Sequence, residues 1–196
     1  MLRYIFLSVF ALLLLTACGG SDLDKFEQSL FSECVECDLY GVDLSQAVLY
    51  RADLTGAYLS VSDLTGANLT GANLTGANLS VADLTGADLT GADLAGATLT
   101  RADLTEADLA DANLSWANLT GADLKGANLT RANLTGVSLL HGADLTGADL
   151  TRADLTDARL AGADLNGANL DGAILDDVIG ADLTGALNVP AKYLKD

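Results

Sequence analysis

The chain has 196 residues, half of them hydrophobic, with one Pro and 5% aromatics. Its apolar content is almost all Leu and Ala, which excludes the mixed Phe, Ile, Val and Met core of an ordinary globular domain and points to a repetitive one. Ten Lys and Arg against 27 Asp and Glu give a net charge of −17, a surface that repels nucleic acid and anionic lipid headgroups; disorder is the competing reading of such acidity, and the regular placement of Leu argues against it.

Residues 1–17 have the layout of a secretory signal: Arg3 supplies a positive charge, Ile5 to Leu15 is apolar apart from Ser8, and Thr16 and Ala17 are small. The stretch from Tyr4 to Ala17 is too short for a helix to cross a hydrocarbon core of about 30 Å at about 1.5 Å per residue. It ends in Leu15-Thr16-Ala17-Cys18, followed by Gly19-Gly20-Ser21. These four residues resemble the lipobox of bacterial lipoproteins. The resemblance implies a lipoprotein signal peptide over 1–17 and acylation of Cys18 as the first mature residue, with acyl chains holding the protein on a membrane. Gly19 in place of Asp after the cysteine implies, by similarity to enterobacterial lipoproteins, the outer membrane facing the periplasm.

Residues 18–36 read as a lipidated linker and N-terminal cap. Ser21 or Asp22 can start a short helix in which Leu23, Phe26 and Leu30 share a face with Phe31 beside them, a lid for the open end of the repetitive body. Cys34-Val35-Glu36-Cys37 is a C-x-x-C pair. The βαβ setting of a redox site is missing, and a zinc site would need two more ligands, whereas the single His141 lies far along the chain. Export favours a structural disulfide between Cys34 and Cys37; two buried thiols are the alternative.

From Leu39 a leucine recurs every fifth residue to Leu139; after one inserted residue near Leu140-His141 the period resumes at Leu145 and runs to Leu175. Ala stands two residues before almost every Leu, Asp or Asn between them, and Thr-Gly commonly comes next. On an α-helix five residues advance about 500°, so the leucines would smear around the cylinder. On a strand residues two apart point the same way, so Ala and Leu both face inward. A flat side and a turn of about 90°, repeated four times, close a square coil of 20 residues, and stacked coils form a parallel β-solenoid.

With units such as Ala67-Asn68-Leu69-Thr70-Gly71, residues 37–183 resemble the pentapeptide repeat family. That resemblance implies an all-β, right-handed quadrilateral parallel β-helix of about seven coils, about 34 Å long at about 4.8 Å per coil. Leucine-rich and hexapeptide solenoids have the wrong period. Residues 184–196 read as a C-terminal cap. In some members of the family that segment pairs two rods, so dimerisation is open.

Sorted by 20-residue coil, one outward column reads Asp43, Asp63, Asp83, Asp103, Asp123, Asp144 and Asp164. Its side chains are expected to accept backbone N–H bonds at the turns; a ladder of divalent cations is the alternative, for which one column supplies too few oxygens. Tyr50, Tyr58, Val61, Val81 and Trp116 are unusual outward apolar residues and form the candidate partner surface. Arg101, Arg131 and Arg152 read as scattered solvated charges, and His141 as a loop residue in an insertion that bulges from one edge.

No nucleophile–base pair, His cluster or phosphate-cradling loop is legible, so no catalytic residue, metal site or cofactor is expected, and the chain reads as no enzyme. The favoured reading is a membrane-anchored lipoprotein rod in the cell envelope, structural or binding a protein partner there, and with no nucleic-acid partner. The rival is DNA mimicry, since some pentapeptide repeat proteins resemble DNA and bind gyrase. Between Asp38 and Leu183 there are 21 acidic and 6 basic residues, net −15, or about one charge per 2.3 Å against about one per 1.7 Å for duplex DNA. An exported rod never meets gyrase, so compartment separates the two.

Overall fold

A computed structural model describes residues 33–139 and 142–194. The stretch read as a signal peptide, Cys18, the stretch Leu23–Phe31 read as a lid, and the inserted Leu140-His141 lie outside the described residues. The chain winds as a four-sided parallel β-helix. Each residue in the slot between Ala and Leu pairs with the residue one coil on, as in Asp43 with Asp63 and Asp63 with Asp83, a step of 20. In chain order the four faces are named the Tyr58, Asp63, Asn68 and Asn73 faces, after the residues that carry this slot in successive repeats. Down the Asn73 face seven pairings run from Glu33 to Ile174.

The five-residue unit works because it satisfies its own backbone donors. In Ala67–Gly71, Asn68 N–H donates to Ala47 O of the preceding coil at 2.9 Å, and Leu69 N–H to Asp88 O of the next at 2.7 Å. Gly71 N–H reaches Thr90 O at 2.9 Å, and Ala67 N–H closes the corner onto Leu64 O at 2.9 Å. The remaining donor, Thr70 N–H, is taken by Asn68 Oδ1 at 3.0 Å. All five N–H groups have partners, as a backbone stacked away from water requires. The fifth bond is the physical reason for Asp or Asn before most of the leucines: a short side-chain carbonyl closes an Asx turn two residues on.

Each corner is a four-residue turn, Leu to Ala, with positive φ at its third residue only, the pattern of a type II turn. Gly71 at φ +64 shows why Gly dominates there: it enters the left-handed region without a Cβ clash. Inside, the Leu of every repeat from Leu39 to Leu175 is buried, with Ala packed between. Ser62 takes an Ala slot at 1% exposure and its hydroxyl donates to Leu59 O at 2.7 Å, so even the one buried polar residue among those described is satisfied.

The coils run beyond the leucine period at both ends. Pairing begins at Glu33 with Asp53, because Cys34 fills a Leu slot and Cys37 an Ala slot and the two are joined as a disulfide. At the other end Asn169 pairs with Leu187, a step of 18. The insertion near residue 140 is absorbed at one corner: Asp123 pairs with Asp144 and Ser138 with Arg159, a step of 21, after which Asp144 pairs with Asp164. Every inward residue therefore stays inward, where a slip within a flat side would turn Leu out. A 3₁₀ turn, Ala191–Tyr193, comes after the last pairing. The Tyr193 hydroxyl accepts Leu175 N–H at 2.8 Å and donates to Asp176 Oδ1 at 2.7 Å, replacing the coil that no longer continues.

Candidate functional site

The described chain is a convex rod, so its functional surface is sought on the four faces and the four edges between them. The Asp63 face carries the unbroken Asp column. All seven, Asp43, Asp63, Asp83, Asp103, Asp123, Asp144 and Asp164, accept the backbone N–H two residues on, at 2.9–3.1 Å. On the Asn68 and Asn73 faces amides also bridge coils, as in Asn128 Nδ2 to Asp108 Oδ1 and Asn113 Nδ2 to Asp93 Oδ1, both 2.9 Å. The Asp column has no amide to cross the gap. Lys125 does so once, reaching Asp123 at 2.7 Å and Asp144 at 3.0 Å, and these two carboxylates raise the pKa of its ammonium.

Two carboxyls of the column, Asp83 and Asp144, are held low for local reasons. A hydrogen bond from the Thr85 hydroxyl holds the Asp83 carboxyl below the ordinary carboxylate value, outweighing desolvation, with Thr85 N–H and the Thr65 hydroxyl adding to it. Partial burial acts to raise Asp144, but bonds from Thr146 and Lys125 leave it lowered. Among the described residues no group of three or more His, Cys, Asp or Glu is placed to hold a metal ion.

The apolar candidates fall on different edges. Tyr58 stands on its face between Asp38 and Asn78, and Val61 and Val81 occupy the corner that comes next in two successive coils. All three are about half exposed: 54%, 49% and 52%. Tyr50 lies half a coil away, on the diagonally opposite edge, with the Arg51 guanidinium 5.1 Å from its ring centroid. Trp116 projects from the edge leading into the Tyr58 face, more coils along. Its ring lies over Gly136, where a Cβ would collide with it, so Gly136 answers both to its φ of +65 and to this close approach.

Sequence reasoning passed over Tyr40, 60% exposed, at the same edge as Val61 and one coil earlier. Counting 20 residues toward the N-terminus from Ser60 finds it. Tyr40 and Tyr58 flank a shallow groove with Glu36, Asp38, Ser60 and Asn78. Arg131 is less scattered than expected, since it forms an ion pair with Asp111 one coil earlier. Arg101 continues the corner column of Val61 and Val81.

The sequence profile of the family described as pentapeptide repeats matches residues 32–71, 62–101, 98–136, 138–177 and 159–187. The chain belongs to the pentapeptide repeat family. Pentapeptide repeat proteins form right-handed quadrilateral β-helices, the architecture described above, and proteins of this fold are generally structural or interaction modules rather than enzymes. Among solved structures the chain is similar to HetL, a pentapeptide repeat protein from the cyanobacterium Nostoc involved in the regulation of heterocyst differentiation. The two are 29% identical over 86% of this chain and 96% of HetL, with a TM-score of 0.59. Rfr23, a pentapeptide repeat protein from the cyanobacterium Cyanothece, is 26% identical over 82% of this chain and 97% of its own, TM-score 0.38. QnrB1, a plasmid-mediated fluoroquinolone resistance protein, is 19% identical over 79% of this chain and 85% of its own, TM-score 0.44. No curated protein matches the chain.

Proposed function

We propose that this pentapeptide repeat protein is a lipid-anchored, non-catalytic rod of the cell envelope that binds a protein partner along its surface. The observation that carries the reading is Leu15-Thr16-Ala17-Cys18 behind an apolar run, the order of residues that lipoprotein acylation uses. Among the described residues no helix is long and apolar enough to cross a membrane, so acyl chains on Cys18 are the membrane attachment in this reading. Each buried CH₂ adds about 0.8 kcal/mol, enough for two or more chains to anchor stably. The disulfide joining Cys34 to Cys37 suits an oxidising compartment. The rod supplies a stiff surface with fixed side-chain spacing, the property a docking scaffold needs and a catalyst does not.

Labelling cells with a fatty-acid probe and fractionating them tests the anchor. The wild-type chain is expected labelled and in the outer-membrane fraction, facing the periplasm, whereas Cys18→Ala is unlabelled and released from membranes. Recovery of the wild-type chain unlabelled and in the cytosol would overturn the reading and return DNA mimicry to consideration, to be checked by gyrase supercoiling.

A further inference from the structure

We infer that the edge between the Tyr58 and Asp63 faces, over the first three coils, is a docking surface for a partner protein segment that presents an apolar strip flanked by Lys and Arg. The inference rests on the reading of the chain as a binding rod and names the chemistry of the partner.

The side chains themselves are the first reason. Tyr40, Tyr58, Val61 and Val81 lie together at this edge, each about half exposed or more, whereas Tyr50 and Trp116, equally exposed, stand singly on other edges. The corner adds a second reason. Val61 at φ +63 and Val81 at φ +60 take the third position of two stacked turns, which fixes both side chains outward, one coil apart and half exposed. A surface that covers them buries a contiguous strip rather than isolated residues.

Charge selects the occupant. One flank of the strip is the Asp63 face, with Asp43, Asp63, Asp83 and Asp103 about 4.8 Å apart. The other flank is the groove bearing Glu36 and Asp38. A second copy docked antiparallel on this edge would bring two Asp columns together, and one docked parallel would set each column against the flank that bears Glu36 and Asp38, so like charges are opposed either way. A segment with basic flanks meets the Asp column on one side and Glu36 and Asp38 on the other with opposite charge while its apolar strip covers the valines.

The test uses the full protein in phosphatidylcholine nanodiscs, with empty discs as the baseline, titrated with two amphipathic helical peptides that share a Leu face. One has Lys flanks and the other Glu flanks. Binding of the Lys peptide is expected, and of the Glu peptide not. Val61→Ser with Val81→Ser should weaken the Lys peptide about ten-fold or more. Asp63→Asn with Asp83→Asn should weaken it less, in a manner abolished by salt, and Val48→Ser on the Asn68 face should leave it unchanged. If the serine pair folds poorly, Val61→Gly with Val81→Gly carries the same comparison, since Gly suits that backbone. Equal binding of both peptides, Lys-peptide binding indifferent to the valines, or self-association lost with the valines in sedimentation would each overturn the inference. These results are independent of Cys18 acylation, so a lost anchor and a lost docking edge are told apart.

Discussion

At the scale of single residues, an Asp or Asn before the leucine, present in most repeats, decides whether a corner is fully bonded. Asp83 accepts Thr85 N–H at 2.9 Å, and Asn in its place can accept the same bond. Asp83→Ala is therefore expected to cost about 0.5–1.5 kcal/mol and Asp83→Asn close to nothing at neutral pH, read from thermal melts. Because the folded carboxyl sits below its ordinary value of 3.8, its contribution is present above that value and is lost as pH falls through the folded pKa. Melts of Asp83→Asn should lose less stability than wild type below about pH 4; an identical acid limb in both would show that the Thr85 contacts are not energetically felt. The valine corners behave oppositely. Val61→Gly relieves a left-handed backbone worth about 1–3 kcal/mol against a larger unfolded-state entropy of Gly, so its melting temperature is expected to equal or exceed that of wild type. A clear loss would mean that Val61 contributes packing its half-exposed position does not reveal.

At the scale of the repeat, inward Ala and Leu were readable because a strand has period two and the unit has five, which forces a corner and leaves no helical face. The Asp column was readable too, down to its backbone partners, since one coil is four repeats and Asp between inward residues must point out. Other features depend on neighbours a coil away. Arg131 finds Asp111 and Trp116 covers Gly136 only when coils stack; a search at a step of 20 would find both pairs, but not their rotamers. The grouping of Tyr40 with Tyr58 and Val61, and the isolation of Tyr50, come from the same count. The C-terminal closure was legible only as apolar residues after the pattern stops, because the bond from Leu175 N–H to the Tyr193 hydroxyl obeys no repeat. Tyr193→Phe removes that acceptor and should cost about 1–3 kcal/mol, with faster hydrogen exchange at Leu175 and Ile179 and little change at Leu89. Uniform loss along the rod would instead mean that the cap and the coils unfold as one unit.

At the scale of the whole molecule, stability is shared along the stack: each coil contacts its neighbours, and burying a Leu in each of four corners contributes about 6–12 kcal/mol gross per coil before chain entropy is subtracted. The net charge of −15 between Asp38 and Leu183 lies on the outside of this neutral core, so it costs little folding energy in salt and leaves a stiff acidic rod on which Tyr40, Tyr58, Val61 and Val81 are grouped at one edge. The proposed lipid attachment, the rigidity of the stack and that edge are the three parts of the binding reading. All of it depends on a backbone wound once per 20 residues. Residue-resolved hydrogen exchange of the full chain tests this most directly: slow exchange is expected at the Ala, Asp or Asn, Leu and corner positions of every interior repeat from Leu54 to Leu129, with protection falling toward the two ends. Protection recurring at a helical spacing, or absent throughout those repeats, would contradict the stacked coil and every surface assigned to it.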